Sequence, residues 1–166
     1  MMNFITRLVA LIMLLSMSVA NGATSTKTTA KFHGTLIVVE CSLNAGKGQT
    51  VDFGDAVGIH RIDGKRYEQS VPFNLDCKNH AGGEVPAMTL TLSGNPSTFN
   101  VAAVSTNVDG LAIELRVNGV AQPLNKTISL DYNHLPSLTA VPVVDNADDL
   151  EAQPFNSSVK LIVEVP

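Results

Sequence analysis

The last ten residues of the chain read SSVKLIVEVP and place an apolar side chain at every second position. Val159, Leu161, Val163 and Val165 would share one face of an extended segment, and a period of two is typical of a β-strand with one buried face. No turn and no returning strand follow before Pro166. We therefore expect one edge of this strand to be open for pairing with another segment.

Similar short alternating segments recur along the chain and are separated by turn-forming residues. The dipeptide Asn118–Gly119, directly after such a segment, predicts a tight β-hairpin turn. Pro142 indicates an edge or a kink in its strand, and 146–152 is the one candidate for a short helix. A minor strand is expected at 49–55, and the predicted main strands cover residues 32–42, 71–78, 87–94, 111–118, 137–144 and 158–165.

This pattern predicts an all-β fold, an immunoglobulin-like β-sandwich in which one strand is missing. Such a sandwich closes with about seven strands, whereas the sequence supplies six main ones. A sandwich without its seventh strand would expose its core through a groove. The strand that carries Val159, Leu161, Val163 and Val165 would form one wall of this acceptor groove. The alternative is an ordinary final strand in a closed sandwich.

The other end of the chain has the features of an export signal. Residues 1–20 contain Arg7, the apolar run LVALIMLL and the small-residue segment SMSVA, in the order of a secretory signal peptide. The apolar run is too short for a membrane span, which needs about 20 residues. We expect cleavage after Ala20, or alternatively after Ala23. No membrane span is predicted for the mature chain, which begins with the polar stretch NGATSTKTTA.

Cys41 and Cys77 are the two cysteines of the chain. In an exported protein, an even number of cysteines favours a structural disulfide. A reactive or metal-binding pair is the weaker alternative, because no C-x-x-C motif is present.

Composition and motifs argue against several function classes. The net charge is −4 and no basic run occurs, which argues against nucleic-acid binding. The four histidines are scattered without the spacing of metal ligands, and no catalytic or phosphate-binding motif is present. We therefore expect a non-enzymatic protein with no cofactor and no metal site.

In this order and spacing, the segments FHGTLIVVEC, VDFG and FNLDC and the alternating C-terminal strand resemble a pilin of the chaperone–usher family (type 1 and P pilus). The resemblance covers nearly the whole chain after the signal, and the separation of Cys41 and Cys77 matches the disulfide of that family. One departure is Val165, at a place where family members commonly carry an aromatic residue. The resemblance implies three regions: a signal at 1–20, an N-terminal extension at 21–36 and a pilin domain at 37–166.

The resemblance also implies a function for the N-terminal extension. In this family a periplasmic chaperone lends the missing strand during export, and the extension of a neighbouring subunit replaces it in the fibre, by β-strand addition. The implied donor residues lie on one face of an extended chain, and Gly34 matches the glycine of the family's donor pattern. These residues are Thr28, Ala30, Phe32, Gly34 and Leu36. The alternative is that Phe32 and Leu36 simply begin the first strand of their own domain.

The resulting prediction is a structural subunit of an adhesive surface pilus, exported through the periplasm. Its partners would be a periplasmic pilus chaperone, an outer-membrane usher and neighbouring pilin subunits. Two alternatives stay open. One is a self-contained secreted β-sandwich that binds a ligand or a host protein, and the other is a terminator or adaptor subunit with restricted pairing.

Overall fold

A computed structural model describes residues 28–34, 39–78 and 87–165. The predicted signal peptide, both candidate cleavage sites and the donor position Leu36 lie outside these residues. The chain divides into two units, Met1–Thr35 and Leu36–Pro166. Among the described residues, no helix has the length and apolar character that a membrane crossing requires.

The second unit contains ten short β-strands and three turns of 3-10 helix in its described part. The 3-10 turns lie at Asn44–Gly46, Ile59–Arg61 and Ala147–Asp149. The strands are β1 Glu40–Leu43, β2 Gln69–Val71, β3 Leu75–Lys78, β4 Met88–Ser93, β5 Ala103–Ser105, β6 Leu111–Val117, β7 Val120–Ala121, β8 Thr127–Leu130, β9 Leu138–Val144 and β10 Lys160–Glu164.

These strands form two facing sheets and a separate antiparallel pair. The first sheet has the order β10–β4–β8, and the second has the order β2–β9–β6–β5, with β7 also paired to β6. The pair β1–β3 carries the disulfide, because Cys41 lies opposite Cys77 in its register. The prediction of a structural disulfide is confirmed.

The core lies between the two sheets and follows from the alternation of the sequence. Along β4, the side chains of Met88, Leu90 and Leu92 are buried while the threonines between them are half-exposed. Ile113 and Leu115 of β6 face them from the second sheet and belong to the same apolar cluster. The predicted all-β sandwich is therefore confirmed. Burial alternates along β4, whereas β6 and β9 in the second sheet each bury three successive residues.

The hairpin prediction is also confirmed. Val117 pairs with Val120 across Asn118 and Gly119, and both turn residues have positive φ, 52° and 77°. That combination defines a type I′ turn, whose twist matches the right-handed twist of the flanking strands.

Pro142 lies on β9, which has β2 on one side and β6 on the other. The prediction of an edge strand is therefore wrong for β9 as a whole, although Pro142 itself has no partner on the β2 side. On one side Pro142 faces Ile113 of β6. On the other side β2 pairs with β9 only from Leu138 to Ala140. The missing N–H of Pro142 therefore costs no ladder hydrogen bond on the β2 side.

Several predicted element boundaries are wrong. The strand expected at 32–42 is confined to Glu40–Leu43 in its described part, and residues 32–34 are not in a strand. The strand expected at 71–78 is divided at Pro72, which has no N–H, into β2 and β3 of different sheets. The candidate helix at 146–152 is a single 3-10 turn. Strands β5, β7 and β8 were not predicted.

Candidate functional site

The strand β10 has a partner on one side only within the described part of the chain. Leu161, Ile162 and Val163 pair with Leu92, Thr91 and Leu90 of β4. The opposite edge of β10 makes no backbone hydrogen bond to another described residue. Such an edge presents a row of free N–H and C=O groups to any extended segment that approaches it.

Next to this edge lies a groove of about 1220 Å³. Its floor consists of apolar side chains from β5, β6 and β9, including Val104, Ile113, Leu115 and Ala140. These four side chains are nearly inaccessible to solvent and belong to the main core. An occupant of the groove would therefore pack directly on the core of the sandwich.

The predicted acceptor residues lie where their alternation places them. Val159, Leu161, Val163 and Val165 are half-buried and pack on the apolar cluster, and the first two line the groove. Ile162, between Leu161 and Val163, is 38% exposed on the outer face. No finding tests the predicted role of these residues as an acceptor.

The opposite wall of the groove comes from a segment that sequence analysis assigned to a minor strand, and this prediction is wrong. Residues 48–57 belong to no strand, and they form no backbone–backbone hydrogen bond with described residues. Phe53 packs against the core and Val51 is half-buried, while Asp52 between them is exposed. The segment has the alternation of a strand but pairs with no other segment in the described part of the chain. Among these residues, both edges of the groove are therefore without a pairing partner.

The loop at 58–68 also lines the groove, through Ile59 and Ile62. It is anchored on the second sheet by Arg116, whose Nη2 donates a hydrogen bond to the carbonyl oxygen of Gly64 at 2.7 Å. Arg116 also forms an ion pair with Glu114 at 2.8 Å. The half-buried guanidinium therefore fixes one side of the groove.

A carboxylate stabilises the tip of the same loop. Asp63 Oδ1 accepts hydrogen bonds from the backbone N–H groups of Arg66 at 2.7 Å and Lys65 at 3.0 Å. These bonds lower the pKa of Asp63 below its ordinary value, and the bond from the N–H of Arg66 has the largest effect. A similar turn follows β8, where the pKa of Asp131 is lowered mainly by its hydrogen bond with the ring of His134.

Four of the five predicted donor residues, Thr28, Ala30, Phe32 and Gly34, belong to the first unit. Residues 28–34 have no regular secondary structure and are exposed, and the side chain of Phe32 is 94% exposed. A Cβ atom built on Gly34 would meet no atom within 4 Å, and its φ is not in the left-handed region. Nothing in the chain's own fold therefore requires a glycine at this position. Leu36 lies outside the described residues, and the donor role stays a prediction.

Within the described residues, no group of three or more metal-binding side chains is present.

A two-sheet sandwich with an open groove beside its last strand defines a class of fold, that of a pilus subunit. The comparison with solved structures agrees. The P pilus rod subunit PapA aligns with a TM-score of 0.56 at 18% identity, over 83% of this chain and 100% of PapA. The P pilus adaptor subunit PapF aligns with a TM-score of 0.54 at 17% identity, over 76% of this chain and 95% of PapF. At these identities the likeness establishes the fold.

The sequence establishes the family. The family model described as fimbrial protein matches residues 30–165. The fimbrial-like protein YfcQ of Escherichia coli is 35% identical over 137 residues, which cover 80% of this chain and 84% of YfcQ. The fimbrial-like protein YfcR of the same organism is 33% identical over 130 residues, which cover 75% of this chain and 72% of YfcR. The chain belongs to the fimbrial protein family, and the resemblance to chaperone–usher pilins is confirmed.

Proposed function

We propose that this chain is a structural subunit of an adhesive surface pilus that polymerises by donor-strand exchange. The groove would take up an extended N-terminal segment of a neighbouring fimbrial subunit as the missing strand. The observation that carries the proposal is the coincidence of an open β10 edge with a groove floored by core residues. Backbone bonds to that edge would give affinity, and alternate side chains in the groove would give specificity.

The chain's own extension has the properties of such an occupant. Phe32 is an apolar side chain left in water, and burying it would contribute about 2–3 kcal/mol. Gly34 lies two residues further along the same face, so an extended backbone could approach the groove closely there. Lys31 and His33 are exposed, and in an extended donor strand they would lie on the opposite face and stay in water.

Transport to the surface follows from the same incompleteness. A subunit whose core opens into a groove needs a temporary strand before it meets its neighbour. We therefore propose that a periplasmic pilus chaperone fills the groove and delivers the subunit to an outer-membrane usher. The segment at 1–20 would direct export and be removed, 21–36 would form the extension, and 37–166 would form the pilin domain.

The test compares two adjacent charge substitutions in the extension of the full mature chain. Phe32→Asp places a charge on the proposed buried face, whereas His33→Asp is the matched control on the opposite face. Because both side chains are exposed, neither change should disturb the folded domain. We expect the parent chain and His33→Asp to form multimers in light scattering after size-exclusion chromatography, and Phe32→Asp to remain a monomer.

Other outcomes would reject parts of the proposal. If all three proteins are stable monomers, self-polymerisation through the extension is wrong, and a closed sandwich or a terminator subunit becomes the better interpretation. If all three form the same multimers, the subunits associate without the face that carries Phe32, and the proposed donor role of this face is wrong.

A further inference from the structure

The loop at 58–68 carries a concentration of positive charge in an acidic chain. Three of the eleven lysines and arginines lie within its residues 61–66, at Arg61, Lys65 and Arg66, whereas the whole chain has a net charge of −4. All three residues are exposed. Asp63 interrupts the cluster in the sequence, so the segment is not a basic run. The charge that a partner meets therefore depends on where the fold directs the carboxylate of Asp63.

The fold turns this carboxylate onto the loop itself. Asp63 Oδ1 accepts the N–H groups of Lys65 and Arg66, and Asp63 Oδ2 lies 3.4 Å from Nε of Arg66. Both carboxylate oxygens are thereby engaged within the loop. Arg61 and Lys65, in contrast, form no ion pair with any residue that the structure describes.

Two further carboxylates bonded to the loop are engaged as well. Glu68 Oε2 lies 3.6 Å from Nη1 of Arg116, and Glu68 Oε1 accepts a hydrogen bond from the hydroxyl of Thr139. Asp148 Oδ1 lies 3.9 Å from Nδ1 of His60. Among the described contacts of the loop, unpaired cations therefore remain, whereas each of these carboxylates has a partner.

The loop is held in one shape at its neck, its middle and its tip. The N–H of Gly58 donates to the phenolic oxygen of Tyr67 at 3.1 Å and closes the neck. The bond from Arg116 holds the middle at Gly64, and Asp63 holds the tip. Tyr67 keeps a φ of 64°, which costs a non-glycine residue free energy. Compact loops with joined ends frequently carry function, and a preformed loop loses little conformational freedom on binding.

The loop has an apolar side and a charged side. Ile59 and Ile62 are half-buried and line the groove, whereas the three cations are exposed. An added strand in the groove would cover the isoleucines and leave the cations in water. The charged side is therefore complete in a single subunit and does not depend on strand uptake.

We propose that the charged side of this loop, formed by Arg61, Lys65 and Arg66, binds an anionic polysaccharide, a linear polymer that carries sulfate or carboxylate groups. The guanidinium groups match such oxyanions with paired N–H donors, and the lysine adds a point charge. In a fibre the loop would recur in every subunit, so that one polymer chain could contact several copies and gain avidity.

Other polyanions fit the loop less well. A membrane surface calls for apolar side chains to insert, but Ile59 and Ile62 face the groove. A nucleic acid calls for aromatic faces on which bases stack, but Tyr67 is half-buried and its hydroxyl closes the neck. An acidic peptide would pair through backbone groups, but the N–H groups of Lys65 and Arg66 already bond Asp63.

The test measures the binding of two fluorescent polysaccharides to the full mature chain by anisotropy. Heparin carries sulfate and carboxylate groups, and hyaluronan carries carboxylate groups alone. The variant Arg61→Ala/Lys65→Ala/Arg66→Ala removes the cluster. The matched control removes the same charge from three exposed lysines on other elements, in the variant Lys78→Ala/Lys126→Ala/Lys160→Ala. Circular dichroism of each variant verifies that it is folded.

A single substitution tests the same site in the opposite direction. Asp63→Asn keeps an oxygen that can accept the two N–H bonds but removes the negative charge beside the cations. We expect this variant to bind roughly 2- to 5-fold more tightly than the parent chain. This expectation holds even if the triple loop variant does not fold.

We expect the loop variant to bind roughly 10- to 100-fold more weakly than the parent chain, the loss that corresponds to three cations leaving an anionic surface. The measurement is made at about 0.15 M salt, where exposed charges more than about 8 Å apart are largely screened. The lysine control should therefore bind within about twofold of the parent chain. At about 0.01 M salt, all affinities should rise.

The outcomes decide both the site and the ligand. Binding of heparin alone would identify sulfate as the recognised group, and binding of hyaluronan as well would add carboxylate. If the lysine control loses as much affinity as the loop variant, or if Asp63→Asn binds no more tightly than the parent chain, the loop is not the site. If the parent chain binds neither polysaccharide, or binds anionic phospholipid vesicles or polyglutamate more tightly, the proposed ligand class is wrong.

Discussion

At the scale of single residues, the groove depends on a few anchoring contacts that lie outside it. Arg116 fixes the loop at 58–68 by its bond to Gly64, and the carboxylate of Asp63 closes the turn at the tip of this loop. On the other side, the side chain of Asn107 fixes the segment before β10. The groove keeps its width because both its loop side and its β10 side are attached to the second sheet.

The disulfide is the anchor with the largest expected effect on stability. Replacing both Cys41 and Cys77 by alanine opens a loop whose ends are 36 residues apart in sequence. Because a longer closed loop restricts the unfolded chain more, we expect the free energy of unfolding to fall by about 4 kcal/mol. Urea denaturation of the oxidised parent and the variant measures this difference.

The reduced parent chain is the control for the cysteine substitutions. Reduction should lower the stability of the parent by a similar amount and leave the alanine variant unchanged. An alanine variant as stable as the oxidised parent would contradict a stabilising role for the bridge.

At the scale of the elements, turn chemistry and pairing partners decide which alternating segments become strands. The segment 111–117 becomes a strand that pairs with β5, β7 and β9, and the type I′ turn at Asn118–Gly119 returns the chain at once. The segment 49–53 has a similar alternation but no turn that brings a partner to it. Alternation is therefore not a sufficient condition for a strand.

The hairpin turn gives a prediction at this scale. Gly119 has a φ of 77°, whereas Gly48 has no positive φ and no atom within 4 Å of its Cβ position. Because an alanine is strained at positive φ, we expect Gly119→Ala to lower the free energy of unfolding by about 1 kcal/mol. Gly48→Ala is the matched control, and its unfolding midpoint should be unchanged or slightly higher. Equal midpoints for the two variants in urea denaturation would contradict the assigned turn.

At the scale of the whole molecule, the open groove makes stability depend on an added strand. A segment that binds only the folded chain stabilises it by mass action, by about 2.7 kcal/mol at 100 times its Kd. For a chain of this size, we expect a synthetic peptide of residues 28–38, present at 100 times its Kd, to raise the Tm by roughly 5–11 °C. Differential scanning calorimetry measures the shift.

The control for this measurement is the same peptide with Phe32→Asp, which should leave the Tm unchanged. A parent peptide that also leaves the Tm unchanged would mean that the groove does not accept this extension.

Much of the fold could be predicted from local patterns in the sequence. The face of β4 that carries Leu90 and the hairpin at Asn118–Gly119 depend on the spacing and chemistry of neighbouring residues. The pairing of Cys41 with Cys77 was predicted because they are the two cysteines of the chain. The buried face of β10 was predicted in the same way. The buried face of a strand and the type of a hairpin turn are local properties, so the sequence alone is sufficient to determine them.

Other properties depend on which distant segments meet. The sequence did not indicate that 48–57 would form no backbone hydrogen bond with another described residue, that Pro72 would divide a strand between two sheets, or that Phe53 would contact Phe155 across 102 positions of the chain. The strand β5, which supplies Val104 to the groove floor, is too short for its period to be recognised. Alternation determines which side chains a strand can bury, but only the packing of the two sheets decides which strand edge stays open.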